Sequence, residues 1–256
     1  MLSVERGSSG LGRPPLRVVS TVLVVAGLIV LVGSVVQGAI GYGLNIIAGP
    51  LLALLDPALV PVPVLVVACA QAAMSTLRER GSVDWGGVGW AMLGRLPGNV
   101  LGLAVLATVA VSASNVVIGV SVLVCVALSL VTWHPSPTRP ALVVAGIASG
   151  TFGTVSSIGG PPIALLYQHQ SGPTVRGTLG AYFLLASVSS VVTLWAAGRV
   201  HTEHLVAAAV LVPFMVVGFL VSGPLRRFLH GGRVRVGVLV VAALSALVLI
   251  GQSVFG

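Results

Sequence analysis

The chain contains no lysine, only five acidic residues and only two cysteines. Without lysine it can hold neither the phosphate-loop lysine of nucleotide-driven motors nor a lysine Schiff base, so uphill transport would need an ion gradient or a separate partner. Cys69 and Cys125 lie far apart within apolar runs, which predicts neither a disulfide framework nor a metal site. We see no cluster of His, Cys and carboxylates and no nucleophile–base pair. We therefore expect no enzyme activity, no cofactor and no bound metal.

Apolar residues dominate what is present. They make up 56% of the 256 residues, charged residues make up 7%, and the mean hydropathy is +1.10. A soluble domain is less apolar and carries more charge, so the composition predicts an all-α, polytopic integral membrane protein. The net charge of +8 comes from thirteen arginines that lie mostly at the ends of apolar runs. They indicate orientation in the lipid bilayer and contact with headgroups, and we expect no nucleic-acid partner.

The apolar runs fall into two length classes. A helix needs about 20 residues to cross a hydrocarbon core of about 30 Å. Runs 44–55 and 160–170 are shorter, since twelve residues at about 1.5 Å each reach about 18 Å, and they predict half-helices. The runs that approach the spanning length are 18–36, 58–76, 86–107, 114–132, 141–155, 177–197, 204–221 and 234–251.

A glycine-rich break precedes each half-helix. The first break covers residues 41–50 (GYGLNIIAGP) and the second covers residues 153–161 (GTVSSIGGP). In lipid, irregular backbone survives only where protein buries it or where it lines a cavity. Broken segments at matching places in two halves are the best sequence indication of a transporter's binding site.

The two halves repeat each other at an offset that drifts only from 111 to 118 residues. This predicts two tandem repeats of about four transmembrane helices, each with a glycine-broken half-helix. We expect a disordered basic tail at 1–17, repeats at 18–132 and 141–251, and a proline-rich connector at 133–140. The matched positions are Gly38 and Gly150, Gly41 and Gly153, Pro50 and Pro161, Leu55 and Leu166, Gly81 and Gly198, Pro97 and Pro213, Gly102 and Gly218, and Gly119 and Gly237.

The number of crossings stays open at eight, nine or ten. Eight crossings with re-entrant half-helices keep the halves equivalent, and this is the version that we expect. With the N-terminus inside, it leaves the cluster of Arg226, Arg227, Arg233 and Arg235 outside, against the positive-inside rule. Ten crossings would instead give two halves of opposite orientation, as in inverted-repeat transporters.

The ordered motifs resemble those of the TauE/SafE family, the sulfite exporter family of bacterial permeases. They are the two breaks that end in Gly-Pro, a GSVDW turn at 81–85, and the Pro/Gly-patterned segment RLPGNVLG at 95–102. The resemblance covers about residues 20–251, and the chain departs from the family pattern at Tyr42, Leu44 and Asn45. It implies a multi-pass transporter of the bacterial plasma membrane that exports sulfite or an organosulfonate.

Other readings remain open beside that resemblance. The transported species could be another small anion or an uncharged metabolite, or the chain could be a membrane scaffold subunit that transports nothing. A coupling ion and a homo-oligomer are both compatible with the sequence.

The start of each half-helix is a candidate anion site, because a helix N-terminus carries free N–H donors and a partial positive charge. Asn45 is a candidate N-cap of the first half-helix, Ser156 and Ser157 are candidate caps of the second, and Pro161 suits its first turn. The alternative is that the glycines only allow close helix packing. The candidate binding residues in the breaks are Gly41, Gly43, Asn45, Gly49, Gly153, Ser156, Ser157, Gly159 and Gly160.

Three polar side chains within or beside apolar runs complete the candidate site. Arg95 lies about ten residues into the third long run; it could attract the anion, snorkel to the interface, or pair with Asp56. Gln71 could bind substrate or another helix. Asp56 ends the first half-helix and is a candidate coupling carboxylate, or else a polar turn residue.

Overall fold

The computed structural model describes residues 16–108, 114–130, 136–225 and 232–255, and within these ranges the chain is helical without strands. Two short 3₁₀ turns, Pro57–Leu59 and Arg80–Ser82, join α-helices. The α-helices are α1 Leu16–Ile40, α2 Leu44–Leu55, α3 Val62–Arg78, α4 Trp85–Thr108, α5 Ser114–Leu130, α6 Arg139–Ser156, α7 Gly160–Tyr167, α8 Gly172–Ala196, α9 Thr202–Leu225 and α10 Gly232–Phe255.

The helices follow the apolar runs, with differences at the segment boundaries. Helix α1 begins at Leu16, so the last two residues of the predicted tail are helical, and residues 1–15 lie outside the described part. Within the predicted connector, residues 133–135 also lie outside it, and α6 begins at Arg139, inside the connector. The division into two repeats stays a prediction.

Five helices of the described residues are long and apolar enough to cross a membrane: 21–40, 57–78, 85–108, 172–196 and 202–225. Their outer faces expose large apolar side chains, among them Val100 at 64%, Leu220 at 63% and Val206 at 59%. In water, such contiguous apolar surface would be an aggregation hazard, whereas lipid is its natural solvent. The predicted all-α, polytopic membrane fold is confirmed.

Glycine rows allow the closest helix contacts and show the helix directions. Gly94 and Gly98 of α4 lie against the carbonyls of Val143 and Ile147 of α6 so closely that a Cβ atom would overlap them. Because both residue numbers rise together, α4 and α6 are parallel. The small-residue spacing is the one that brings membrane helices into backbone contact.

Helices α1 and α9 form a second parallel pair. Gly218 of α9 packs on the Leu31 carbonyl, and further along α1 Gly38 packs on Ser222. Helices α3 and α8 are antiparallel, since Gly177 lies beside Glu79 while Val62 and Leu194 share one cluster at the other end. If α1 to α5 are matched in order with α6 to α10, the contact between α1 and α9 corresponds to the contact between α6 and α4. The pairs α3–α8 and α5–α10 each correspond to themselves.

These directions define two ends of the bundle. The arginine-rich end is where α3 ends and α4, α6 and α8 begin; it carries Arg78, Arg80, Arg139 and Arg176. The opposite end is where α4 and α8 end and α3 and α9 begin.

Both half-helices carry the chain from one end to the other. Helices α1 and α3 run towards the arginine-rich end, so α2 must bring the chain back, and Gly41 beside Arg176 marks where that return starts. Helices α6 and α8 run away from this end, so α7 returns towards it and ends with Tyr167 bonded to Asp84. The expected eight-crossing version is therefore wrong, because re-entrant half-helices would make α1 and α3 antiparallel.

Candidate functional site

The two breaks meet around one cavity inside the bundle. Its volume is about 30 Å³, which is room for about two water molecules. Its lining combines polar and glycine residues of the two breaks with apolar side chains. The lining residues are Gln37, Tyr42, Gly43, Asn45, Ile46, Leu65, Ala68, Arg95, Gly153, Ser157, Ile158, Gly159, Gly160, Phe183, Ala186 and Ser187.

Gln37, and not Asn45, caps the first half-helix. Helix α2 begins at Leu44 after Gly43, whose φ of 138° is a conformation that side chains disfavour and glycine tolerates. The Leu44 N–H donates to Gln37 Oε1 at 3.0 Å. The predicted Asn45 cap is wrong because Asn45 already lies inside the first turn.

Asn45 instead joins the two breaks. Its Nδ2 donates to the Ser157 carbonyl at 2.5 Å, across 112 residues of sequence. The backbone N–H groups of Asn45 and Ile46 belong to the first helical turn, where no intrahelical acceptor exists, and Ile47 is the first to bond back, to Gly43. No acceptor among the described residues takes these two donors, and both residues line the cavity.

In the second break, Ser156 and Ser157 end a helix and cap none. Ser157 closes α6 in the left-handed conformation, with φ at 58°. Gly159 stands at the N-cap of α7 and makes no side-chain cap bond, so the predicted serine caps are wrong. Pro161 occupies the first turn as predicted. Because Pro161 and Pro162 lack N–H groups, this helix start presents fewer donors than α2.

Three neighbouring carbonyls of the second break accept side-chain hydrogen bonds. Asn45 donates to Ser157 O at 2.5 Å, the Cys125 thiol donates to Ile158 O at 3.3 Å, and the Ser149 hydroxyl donates to Gly159 O. Irregular backbone in a membrane protein is stable when such partners satisfy it. Helices α2, α5 and α6 thus hold this segment in place.

Arg95 lies inside the bundle with 2% of its surface exposed. It therefore does not snorkel, and it makes no ion pair with Asp56 or with any other described carboxylate. Six contacts with neutral oxygens surround the guanidinium instead: Ala186 O (3.2 Å), Ser189 Oγ (3.4 Å), Ser149 O (3.1 Å), Ser149 Oγ (2.9 Å), Tyr182 Oη (3.3 Å) and Ser190 Oγ (2.9 Å).

One guanidinium N–H has no partner among the described residues. Of the five donors of Arg95, Nε and both hydrogens of Nη1 have acceptors, while Nη2 bonds only to Ser190. A Cβ atom on Gly153 would lie 2.7 Å from this Nη2. Because Gly153 has no side chain, the buried guanidinium of Arg95 and its spare N–H donor have room to face the cavity.

Ser149 connects Arg95 to the start of α7. Its hydroxyl accepts from Arg95 Nη1 at 2.9 Å and from Tyr182 Oη at 2.8 Å, and it donates to Gly159 O. Ser149 is fully buried. A displacement of the guanidinium would therefore pull on the second break.

Seven of the eleven predicted binding residues line the cavity, and four do not. Gly41, with φ at 106°, packs on Arg176, and Gly49 packs on Ile158. The Ser156 hydroxyl bonds to Phe152 O within α6. Gln71 donates to Ser34 O of the neighbouring helix α1, so it binds another helix, which was the alternative to binding substrate. The seven are Gly43, Asn45, Arg95, Gly153, Ser157, Gly159 and Gly160.

Asp56 lies away from the cavity. It follows α2 at the opposite end of the bundle, half-buried, and its Oδ1 accepts the Ala58 N–H at 2.9 Å. This is the bond of a polar turn residue that caps the 3₁₀ turn Pro57–Leu59. Its role as a coupling carboxylate stays a prediction.

The cavity also contains residues that the sequence reasoning did not select. Gln37 stands immediately before the matched Gly38, as Ser149 stands before Gly150, so the repeat alignment could have paired them. Phe183 and Ser187 are four residues apart on one face of α8. Hydroxyls at positions 187, 189 and 190 on a long apolar helix were the available signal.

The sequence as a whole was compared with known families and proteins. The family model described as "Sulfite exporter TauE/SafE" matches residues 25–249. A curated protein of Cupriavidus necator, the "Probable sulfite/organosulfonate exporter TauE", is 27% identical over 207 residues, which cover 77% of this chain and 80% of that protein. No solved structure matches the chain significantly. With nearly the whole described fold inside the matched range, the chain belongs to the sulfite exporter TauE/SafE family of membrane proteins.

Proposed function

We propose that this chain is a secondary transporter that exports sulfite or a small organosulfonate, with the anion bound between the two breaks beside Arg95. The observation that carries the proposal is a fully buried guanidinium without a carboxylate partner among the described residues, placed where both breaks line one cavity. Ionisable residues inside a membrane protein are costly and usually mark a pathway. A bound anion would neutralise this charge.

Several donors converge on the proposed anion. The spare N–H of Arg95 Nη2 comes from one wall, and the N–H groups of Asn45 and Ile46 come from the start of α2. Donors at a helix start act together with the partial positive charge of the helix terminus. Sulfite and sulfonates present three oxygens for such donors, and the planar guanidinium of Arg can bond two oxygens of one anion.

The apolar part of the lining accommodates a small organic group. Ile46, Leu65 and Phe183 line the cavity together with the polar residues. Sulfite needs more room than two waters, so the lining must move apart to admit it. Because sulfite is smaller than a longer sulfonate, we expect the cavity to admit sulfite more readily.

We further propose alternating access by two inverted repeats. The halves have opposite orientation in the bundle, and each half-helix starts at the cavity and leads to a different end. Inverted repeats with broken helices at the binding site are the arrangement in which one half rocks against the other. A proton or cation gradient would drive the cycle, and Asp56 is the candidate coupling carboxylate.

The charge distribution suggests which end faces the cytoplasm of a bacterial plasma membrane. Four arginines mark the arginine-rich end. Helix α9 ends at this end, and Arg233 and Arg235 stand in the first turn of α10, which follows it in the chain. The positive-inside rule then places the arginine-rich end in the cytoplasm, which removes the conflict that eight crossings would create.

Flux measurements with purified protein test the proposal. Proteoliposomes are loaded with radiolabelled sulfite, and efflux is followed with and without an imposed ion gradient. We expect efflux that unlabelled sulfite and short alkyl sulfonates inhibit. If only other small anions or neutral metabolites move, the substrate assignment is wrong, and if nothing moves under any gradient, the scaffold reading replaces the transporter.

Two arginine variants test the site. Arg95→Leu removes the buried charge, and we expect transport efficiency to fall about 100-fold, because truncating one partner of a buried charge pair costs about 2–5 kcal/mol. Arg139→Gln is the matched control, since Arg139 is exposed and stacks only on Trp90. Equal flux in Arg95→Leu and the parent protein would exclude Arg95 from binding.

A further inference from the structure

The two half-helices end differently in this conformation. Helix α7 ends at Tyr167, whose hydroxyl donates to Asp84 Oδ2 at 2.7 Å. Asp84 is itself fixed, because its Oδ1 accepts the Gly87 N–H at 2.9 Å and its own N–H donates to Thr178 at 3.0 Å. Tyr167 is 2% exposed. The end of α7 is thus bonded to the start of α4.

This bond lies at the arginine-rich end of the bundle, beyond the cavity. Helix α7 starts at Gly160, a cavity residue, and ends at the bond with Asp84. It cannot move away from α4 while the bond holds. Gly87 leaves room for the contact, since a Cβ atom there would overlap the Tyr167 hydroxyl. At the same end, the ion pair between Arg176 and Glu79, at 3.0 Å, joins the first turns of α8 to the end of α3.

The repeat alignment places a second pair at the opposite end. Asp56 follows the matched Leu55 as Tyr167 follows Leu166. His201 lies three residues after the matched Gly198, as Asp84 lies three residues after Gly81. His201 immediately precedes α9, as Asp84 immediately precedes α4.

In this conformation the second pair is not joined. Asp56 and His201 make no ion pair; Asp56 Oδ1 accepts from Ala58, and the His201 N–H donates to His204 Nδ1 at 3.2 Å. The 3₁₀ turn that Asp56 caps nevertheless packs against α9, the helix that His201 immediately precedes. A carboxylate and an imidazole can form a bond equivalent to that of Tyr167 and Asp84.

We propose that Tyr167–Asp84 and Asp56–His201 are the two alternating latches of the transporter, one closing each end. This proposal rests on the proposed transport function. It assigns the present conformation to the state in which Tyr167 is bonded to Asp84 and Asp56 is not bonded to His201. In the opposite state Tyr167 leaves Asp84, and Asp56 bonds to His201. Each half would thus carry one latch, at matched positions of the sequence but with different side chains.

Thiol accessibility from each side tests the latches without requiring a substrate. Ser187→Cys places a single thiol in the cavity wall, in a background with Cys69→Ala and Cys125→Ala. A membrane-impermeant thiol reagent is applied to right-side-out and to inverted vesicles. Labelling of Arg80→Cys, which is exposed at the arginine-rich end, identifies that side independently.

Opposite effects are expected from the two pairs. Tyr167→Phe raises the labelling rate of the cavity thiol from the arginine-rich side about tenfold, the effect of losing a hydrogen bond to a charged group. Asp56→Asn and His201→Gln each raise labelling from the opposite side, and the double variant gives no further increase because the two residues act as one pair. Arg139→Gln and Glu203→Gln are exposed controls, one at each end, and leave both rates unchanged.

The proposal fails if Asp56→Asn and His201→Gln label like the parent protein from both sides, or if their effects simply add. It also fails if Tyr167→Phe raises labelling from the opposite side. An unfolded variant is recognised by labelling from both sides together with a lost elution peak in detergent. Labelling needs no sulfite. If the protein shows no sulfite flux but the opposite effects on labelling remain, the proposed substrate is wrong and the latch proposal stands.

Discussion

The two breaks occupy matched positions in the sequence, yet they contribute different chemistry to the cavity. The first break is capped by Gln37 and presents N–H groups at the start of α2 for which the described residues offer no acceptor. The second break presents few donors because prolines follow Gly160, and three of its carbonyls accept bonds from α2, α5 and α6. One break offers donors to a ligand, and the other forms a fixed support.

The two halves also differ in charge, because a cation stands at only one of two matched positions. Arg95 lies two residues before the matched Pro97, and Leu211 lies two residues before Pro213. Both are buried, but only Arg95 adds a cation, and the second break surrounds that cation. Two breaks at matched positions of the sequence thus differ in electrostatics, because Arg95 packs against Gly153 and Gly159 of the second break. Equal backbone breaks therefore do not imply equal roles.

Among substitutions within the two breaks, the largest expected effect comes from filling the space between the second break and Arg95. Gly153→Ala puts a methyl group 2.7 Å from Arg95 Nη2, and overpacking of this kind costs about 1–3 kcal/mol. We expect sulfite efflux to fall at least tenfold. Gly89→Ala on α4 is the control, since nothing lies within 4 Å of its Cβ position. Unchanged efflux in Gly153→Ala would mean that Arg95 can shift without consequence.

Asn45→Ala tests whether the two breaks act as one unit. It removes the bond to Ser157 O and leaves a buried carbonyl unsatisfied, which costs about 1–3 kcal/mol. We expect a lower unfolding temperature in detergent and weaker stabilisation by added sulfite. If sulfite stabilises Asn45→Ala as strongly as the parent protein, the breaks bind the anion independently of each other.

Gln37 variants separate capping from electrostatics in the first break. Gln37→Ala removes the cap of α2, and we expect a loss of about 1 kcal/mol in unfolding free energy. Gln37→Glu keeps an acceptor for the Leu44 N–H but adds negative charge to the cavity wall. We expect Gln37→Glu to retain stability and to bind sulfite less tightly, as measured by inhibition of labelled efflux. Loss of stability in both variants with unchanged sulfite binding would place the anion elsewhere.

The smallest effect is expected for Cys125→Ala. The thiol is a weak donor to Ile158 O at 3.3 Å, so its removal should cost less than about 1 kcal/mol. Thermal unfolding in detergent and sulfite efflux measure the two consequences, and we expect efflux to be unchanged. A large loss of efflux would show that the support of the second break depends on α5 as much as on α2 and α6.

Much of the fold could be predicted from apolar run length alone, because a span needs a minimum number of lipid-soluble residues. The half-helix at 44–55 coincides with α2, and Pro161 occupies the first turn of α7 as its chemistry suggests. The caps were less predictable. Asn45, Ser156 and Ser157 are all capping residue types, but a cap depends on which residue starts the helix, and a shift of one or two positions removes it.

The environment of Arg95 could not be predicted, since its partners come from residues 149, 182, 186, 189 and 190. The number of crossings was not predictable either. Local sequence gives the length of a half-helix, but whether it turns back depends on the direction of the helices on both sides.

The sequence by itself determined that this protein is a helical membrane protein with two breaks and one cation within an apolar run, because composition and hydrophobic length depend on no partner. Only the tertiary structure decided that the breaks face one another, that Arg95 lies between them with no carboxylate partner in the described part of the chain, and that the half-helices lead to opposite ends. Those properties arise from helix direction and from contacts more than a hundred residues apart, which only packing of the whole chain can produce.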